Sequence, residues 1–238
     1  MFAGPNGSGK STIKAKIGSI NPRWLGVEVN PDEIEAAMRR DGSLDLSRFS
    51  IKLTQSSFAA FVERSLLWVR ALDNSASSPF VVKENRLLFD ALSVNSYHAS
   101  VISDLIRQKL LAGRASFSFE TVMSSPDKLD FLRKASRAGY RVYLYYVATD
   151  DPLINISRVK SRVRKGGHDV PTDKIVARYR RSLDALLGAI DVSHRAYLFD
   201  NSGIESKLIA EVNDGELRLV SSSIPNWFDR FVLRKLGG

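Results

Sequence analysis

Gly4-Pro5-Asn6-Gly7-Ser8-Gly9-Lys10-Ser11-Thr12 decides the reading of this chain, because it fits G-x-x-x-x-G-K-[ST] without a mismatch. Three glycines allow successive backbone N–H groups to turn inward around an anion. Lys10 reaches the outer phosphates, and the Ser11 hydroxyl stands at the positive end of the following helix, where it is expected to ligate Mg²⁺. The whole stretch from Gly4 to Thr12 reads as the cradle of a nucleoside triphosphate, with ATP as the expected ligand. The competing reading is a glycine-rich turn with no ligand.

A phosphate cradle ordinarily follows a buried strand, and here only Met1-Phe2-Ala3 precede Gly4. Two expectations follow: translation begins further upstream, or the first strand is reduced to two or three residues.

With 238 residues and 44% hydrophobic content the chain buries a proper core, and its length suits a single α/β domain with insertions. The absence of Cys removes disulfides, thiolate metal sites and cysteine nucleophiles together. No apolar run reaches the length of a membrane span or a signal-peptide core, so no membrane partner and a cytoplasmic location are expected. The formal charge of +9 admits a nucleic acid or a polyanionic small molecule such as ATP with a phosphorylated second substrate.

Working outward from the cradle, residues 11–18 read as a short helix and 24–29 as the second strand. Asn30-Pro31-Asp32-Glu33 then opens a helix over 31–40, with Asn30 as N-cap and Pro31 at the first helical position. Residues 41–97 are read as a helical insertion, with a helical pattern near 58–72 and a Ser/Asn-rich break at 74–79. A helix over 99–112 follows from the spacing of Val101, Ile102, Leu105, Ile106, Leu110 and Leu111. Strand 116–119 ends at Glu120-Thr121 and is followed by a helix over 126–138. Strand 141–147 is apolar enough to be buried on both faces. Two helices, 154–165 and 172–190, are separated by Gly166-Gly167-His168-Asp169-Val170-Pro171 and form a hinged lid. Strand 196–199 ends at Asp200-Asn201, a hairpin turns at Asn213-Asp214-Gly215, and the tail around Trp227 docks as a terminal helix. The pattern predicts a doubly wound, mainly parallel α/β sheet.

Such a sheet binds ligands at the carboxyl ends of its strands, where Asp32, Glu120 and Asp200 are expected. In phosphoryl transfer a carboxylate orients or deprotonates the accepting hydroxyl, so Asp32 is the candidate base and Glu120 a ligand of the substrate or of the metal shell. The bland alternatives are a helix-capping acid at Asp32 and local N–H satisfaction at Glu120. The basic run Arg158, Lys160, Arg162, Arg164, Lys165, Arg178, Arg180 and Arg181 suits a lid closing on phosphates, against the alternative of a solvated face. His168 is either a hinge contact or an exposed turn residue. His98 and His194 read as ordinary residues.

The blocks FAGPNGSGKST, VNPDEI, SFSFETVMS, AGYRVYLYYVAT, NISRVKSRVRKGGHDVP, IVARYRRSL and YLFDNSG resemble, in order and spacing, the zeta-toxin family of P-loop kinases. The resemblance covers about residues 2–212, apart from much of 41–97. It implies the P-loop kinase fold and transfer of the ATP γ-phosphate, with Mg²⁺, to a sugar hydroxyl of UDP-N-acetylglucosamine or a related nucleotide sugar. Asp32 falls on the family's base, Lys10 on its phosphate-loop lysine, Glu120 on its substrate-contacting acid and Arg162 on a lid arginine, with Arg158 and Arg164 as further lid candidates. Thr121, His168 and Arg178 join the substrate-binding set, and Asp200 and Asn201 the ATP-binding set. A cognate antitoxin is the protein partner the resemblance implies. Thr121-Val122-Met123 and the Gly167-His168 turn depart from the best-studied members. The competing classes are a nucleic-acid-binding or polynucleotide end-processing P-loop protein and an ATP-binding partner protein without turnover. The first needs a basic stripe interleaved with aromatics, and the lid run holds only Tyr179 among its cations, which disfavours nucleic acid.

Overall fold

The structure is a computed structural model and describes residues 1–65, 67–69, 80–91, 94–167 and 169–237. In chain order its elements are β1 (Phe2–Ala3), α1 (Lys10–Ile20), β2 (Val27–Val29), α2 (Pro31–Asp41), β3 (Ser43–Asp45), α3 (Gln55–Val62), β4 (Val81–Lys83), β5 (Arg86–Leu88), α4 (Ser96–Ala112) and β6 (Phe117–Thr121). There follow α5 (Pro126–Arg137), β7 (Tyr143–Ala148), α6 (Pro152–Arg164), α7 (Thr172–Asp184), α8 (Leu186–Asp191), β8 (Arg195–Asp200), β9 (Lys207–Asn213) and β10 (Glu216–Leu219). The chain divides into two compact units, Met1–Ile20 with Glu120–Gly238, and Asn21–Phe119.

In the first unit the strands lie in the order β10-β9-β8-β7-β1-β6. The two-residue β1 is paired in parallel on both sides, Phe2 and Ala3 facing Glu120 and Thr121 of β6 and Tyr145 and Tyr146 of β7. Phe2 and Ala3 are buried, so even this short strand occupies a central position. β7 and β8 are parallel over six register pairs, and β9 and β10 continue the sheet antiparallel. The β9–β10 turn places Asp214 at φ 49° and Gly215 at φ 85°, the two positive angles of a type I′ hairpin that the Asp-Gly pair favours. One sheet face, carrying Leu144, Tyr146, Ala196, Leu198, Ala210 and Val212, is closed to solvent. Burial pushes the Tyr146 phenol well above its ordinary range, and its hydroxyl meets Ser182 of α7 at 3.1 Å. The tail forms Asn226–Phe228, a π-helical turn Asp229–Leu233 and Arg234–Leu236, with Trp227, Phe228 and Val232 buried.

The second unit pairs β2 in parallel with residues 117–119 of β6, and orders a small antiparallel sheet as β3-β5-β4. The expected second strand over 24–29 is shorter than its apolar run. Asn21 caps a 3₁₀ turn, Pro22–Trp24, and Gly26 adopts φ 59° where a Cβ would lie 2.3 Å from the Ser116 carbonyl. Among its described residues the 41–97 segment, read as helical, carries the strands β3, β4 and β5 as well as α3, with its hairpin turning at Glu84-Asn85. The expected break at 74–79 and the end of the 58–72 helix lie outside the described residues. Phe58, Trp68, Phe80 and the ring of His98 form an aromatic cluster here, and burial lowers the His98 pKa. The expected 172–190 helix is two, α7 and α8, parted at Ala185. Among the described residues no helix is long and apolar enough to cross a membrane.

Candidate active site

In the loop between β1 and α1 the carbonyls of Gly4, Pro5, Asn6, Ser8 and Gly9 each accept a hydrogen bond. Lys10 Nζ donates to the carbonyls of Gly4 at 2.9 Å and Pro5 at 2.8 Å. The Asn6 carbonyl accepts from Asn155 Nδ2 at 2.6 Å, and the Ser8 carbonyl from Asn201 Nδ2 at 2.7 Å. Gly9 accepts from the N–H groups of Thr12 and Ile13 as α1 begins. The N–H groups of Gly7 and Gly9 make no hydrogen bond among the described residues, which suits a concave anion site at a helix N-terminus. Two glycines are required by neighbouring backbone: a Cβ on Gly4, at φ 136°, would stand 2.0 Å from the Val147 carbonyl, and one on Gly7, at φ 74°, 2.7 Å from that of Asn155.

Beside the loop, Ser11 Oγ donates to Glu120 Oε2 at 2.7 Å, and Lys14 Nζ lies 3.1 Å from Glu120 Oε1. The Glu120 and Lys14 side chains are only 11% and 13% exposed, so solvent screens this pair weakly. The pair of hydroxyl and carboxylate oxygens has the hard-donor chemistry of a Mg²⁺ shell, although no cluster of three or more His, Cys, Asp or Glu side chains suited to a metal occurs among the described residues.

Asp200 and Thr121, expected in the ATP-binding and substrate-binding sets, both accept hydrogen bonds from neighbouring protein groups. Asp200 Oδ1 accepts from Trp227 Nε1 at 2.9 Å and from the Ser202 hydroxyl at 2.7 Å, while Oδ2 accepts from the Ser202 N–H. Thr121 Oγ1 accepts from the Met123 N–H at 3.0 Å, turning the chain at the end of β6 through Met123 at φ 54°. Asn201 acts through the back of the loop, and its amide nitrogen leaves no space for a Cβ on Gly9, which would lie 2.2 Å away.

In α6, Arg158 Nη2 donates to the Gly203 carbonyl at 3.0 Å, which ties this helix to the loop after β8. Arg162 packs its stem over Gly167, where a Cβ would be 2.5 Å from Arg162 Cγ. Arg164 is exposed and Arg178 half-buried. α6, α7 and the turn 169–171 between them border an open pocket of about 390 Å³ lined by Ile156, Val159, Val170 and Ile175 and edged by Lys160 and Arg164. His168 lies outside the described residues. Asp32 belongs to the second unit, on the first turn of α2. The cap there is Asn30, whose Oδ1 accepts from the Asp32 N–H at 3.0 Å, so the Asp32 side chain is not the capping group. The Asp32 carboxylate is exposed and has no hydrogen bond or ion pair among the described residues.

Asn155 was not among the expected site residues. It is fully buried on the inner face of α6 and holds the loop through Asn6, yet its only sequence signal is a polar residue amid Ile154 and Ile156 at the root of an amphipathic helix.

A glycine loop with positive φ, a lysine folded over it and a serine paired to a carboxylate, set at the carboxyl edge of a mainly parallel sheet, define a P-loop α/β protein. The sequence profile described as zeta toxin matches residues 90–208, half of the chain, and the chain belongs to the zeta toxin family. The matched span contains Glu120, Asn155, the α6 arginines and Asp200, and lies downstream of the phosphate loop. An uncharacterized protein of Haemophilus influenzae is 32% identical over 63 residues, which are 26% of this chain and 45% of that protein. Among solved structures, AvrRxo1-ORF1:AvrRxo1-ORF2 with sulphate ions aligns with a TM-score of 0.57 at 17% identity, over 93% of this chain and 60% of that chain. The same pair with ATP aligns with a TM-score of 0.57 at 17% identity, over 92% and 60%, and the native complex at 0.58, 17%, 93% and 60%. At that identity the likeness carries the fold. The chain spans about 60% of those structures and less than half of the Haemophilus relative.

Proposed function

We propose that this chain is an ATP-dependent phosphotransferase that moves the γ-phosphate to a hydroxyl of a nucleotide sugar, UDP-N-acetylglucosamine or a close relative. The observation that carries the reading is the loop: the carbonyls of Gly4, Pro5, Asn6, Ser8 and Gly9 are bound by protein donors, the Gly7 and Gly9 N–H groups are left for an anion, and Lys10 supplies a cation over the cradle. The family membership and the ATP complex of the AvrRxo1-ORF1:-ORF2 pair support ATP as the donor. In this reading the loop N–H groups and Lys10 bind and orient the β- and γ-phosphates. Ser11 holds Mg²⁺, and that ion, when bound, neutralises phosphate charge. Glu120 orients the acceptor, Asp32 takes the proton from its hydroxyl, and Arg162, with Arg158 and Arg164, meets the charge that develops on the transferred group.

A protein partner of the antitoxin kind belongs to the same proposal, supported by the family and by the paired ORF1:ORF2 assemblies. The test is a phosphotransfer assay with labelled ATP against a panel of nucleotide sugars, with a short 5′-hydroxyl oligonucleotide alongside. Label moving to a nucleotide sugar, and lost in Lys10→Ala while the fold is kept, is the expected result. Label moving to the oligonucleotide alone rejects the sugar-kinase reading.

A further inference from the structure

We infer that a buried hydrogen-bond relay, Tyr179 to Thr149 to Asn155 to Asn6, fastens both lid helices to the phosphate loop, so that Asn155 is a positioning residue for nucleotide binding. The inference rests on the reading that the loop binds ATP. All four residues lie in the first unit. Tyr179 of α7 donates its hydroxyl to the Thr149 carbonyl at 2.6 Å. The Thr149 hydroxyl donates to Asn155 Oδ1, and Asn155 Nδ2 donates to the Asn6 carbonyl at 2.6 Å. Thr149 and Asn155 are fully buried and Tyr179 nearly so, and burial holds the Tyr179 phenol protonated by raising its pKa far above the usual value.

The direction of every donor follows from chemistry. The Asn6 carbonyl only accepts, so it must face the amide NH₂. That turns Oδ1 toward Thr149, whose hydroxyl must then donate, and the phenol is left to donate to the Thr149 carbonyl. An amide is the one side chain of this size that meets both ends, since Asp offers no donor to Asn6 and Leu offers neither group. The fit is tight on the loop side as well, because the Asn155 backbone carbonyl is what excludes a Cβ from Gly7. Holding the Asn6 carbonyl toward α6 fixes the peptide plane on which the Gly7 N–H is carried. Three residues beyond Asn155, Arg158 leaves the same helix and grips Gly203. Movement of the lid root is thereby felt at the cradle, and an ordered cradle restrains the lid.

The test measures ATP affinity by calorimetry and thermal stability for wild type, Asn155→Asp, Thr149→Val and Tyr179→Phe. Val212→Ala, a core truncation in β9 away from the relay, is the control for stability alone. Asn155→Asp sets a carboxylate against a carbonyl and is expected to weaken ATP binding by at least about 10-fold. Thr149→Val keeps shape but frees the amide, and about 5-fold is expected; Tyr179→Phe, one step further away, about 2- to 3-fold. Val212→Ala should lower the Tm and leave the affinity alone. Should Asn155→Asp not fold, the two near-isosteric variants decide. Folded Thr149→Val and Tyr179→Phe with wild-type ATP affinity overturn the relay while leaving the ATP reading intact. A wild-type protein that binds no ATP removes that reading, and the relay's role with it.

Discussion

Glu120, one residue before the end of β6, and Asp200, the last residue of β8, lie at the same edge of one sheet, yet they are held by different kinds of donor. Glu120 faces the loop, where a hydroxyl and an ammonium from α1 meet its two oxygens. Both partners are groups that a bound phosphate or metal can draw away, so this carboxylate is held without being locked. Asp200 is bound by an indole N–H, a hydroxyl and a backbone N–H, none of which has anywhere else to go. Through the indole it is tied to the C-terminal tail. A strand-end acid is thus defined by its donors: mobile cationic and hydroxyl donors leave it available for chemistry, and fixed framework donors consume it. Asp32, in the second unit, extends the series to an acid with no donor at all among the described residues.

The largest effect is expected at that far end of the series. Asp32→Asn keeps the shape of the first turn, and because Asn30 supplies the cap, folding stability should change by less than about 0.5 kcal/mol. Turnover should fall by about 10²–10⁴-fold with ATP affinity unchanged, as measured by steady-state transfer and calorimetry. Normal turnover removes Asp32 from the role of base. Next comes Glu120→Gln, which keeps an acceptor for Ser11 but removes the charge facing Lys14. Transfer should drop by about 10²-fold and the unfolding free energy by no more than about 1–2 kcal/mol, since the amide still accepts from Ser11. A loss confined to stability would place Glu120 with Asp200.

The parts of this site that were legible in the sequence are those that carry their geometry in residue type. Gly4, Gly7 and Gly9 announce positive φ, Asn30-Pro31 announces a helix start, and Asp214-Gly215 announces a I′ turn. Each strain or cap has one or two residue types that satisfy it, so the pattern is readable. Asn155 is not, because a buried asparagine looks like any polar residue until its partner Asn6, 149 positions away in the chain, is known. The β4–β5 hairpin was missed for a different reason. Glu84 and Asn85 both adopt positive φ without a glycine, a strain offset by Asn85, whose side chain donates to the Ile51 carbonyl and accepts from the Leu53 N–H. At Asp200 the position at a strand end is visible in the sequence, whereas the donors that reach it, Trp227 and Ser202, are not.

Asp200→Asn tests the framework end of the comparison. One oxygen remains to accept, but the new NH₂ faces the Ser202 N–H, so a donor meets a donor. A destabilisation of about 1–3 kcal/mol in chemical denaturation is expected, with transfer by the folded protein within about twofold of wild type. A fall in kcat without loss of stability would move Asp200 into the chemistry and erase the contrast with Glu120.

The smallest effect separates what Asp200 does for the tail from what it does for its own loop. Trp227→Phe removes the indole N–H that reaches Asp200 while keeping an aromatic ring in a site that is 2% exposed. The single change costs a hydrogen bond and some ring volume, about 1–2 kcal/mol. The informative quantity is its coupling to Asp200→Asn. If the carboxylate's main duty is to hold the indole, the double variant should be less destabilised than the two single losses combined, by about 0.5–1 kcal/mol, because the second change removes a bond the first has already weakened. Additive losses would mean that Asp200 acts chiefly on Ser202, and that Asp150 anchors the tail instead, since its carboxylate accepts from both the Trp227 N–H at 3.0 Å and Asn226 Nδ2 at 3.1 Å. In that event Asp150→Asn should carry the larger share of the tail's stability and Asp200 would be left as the turn-former of its own loop.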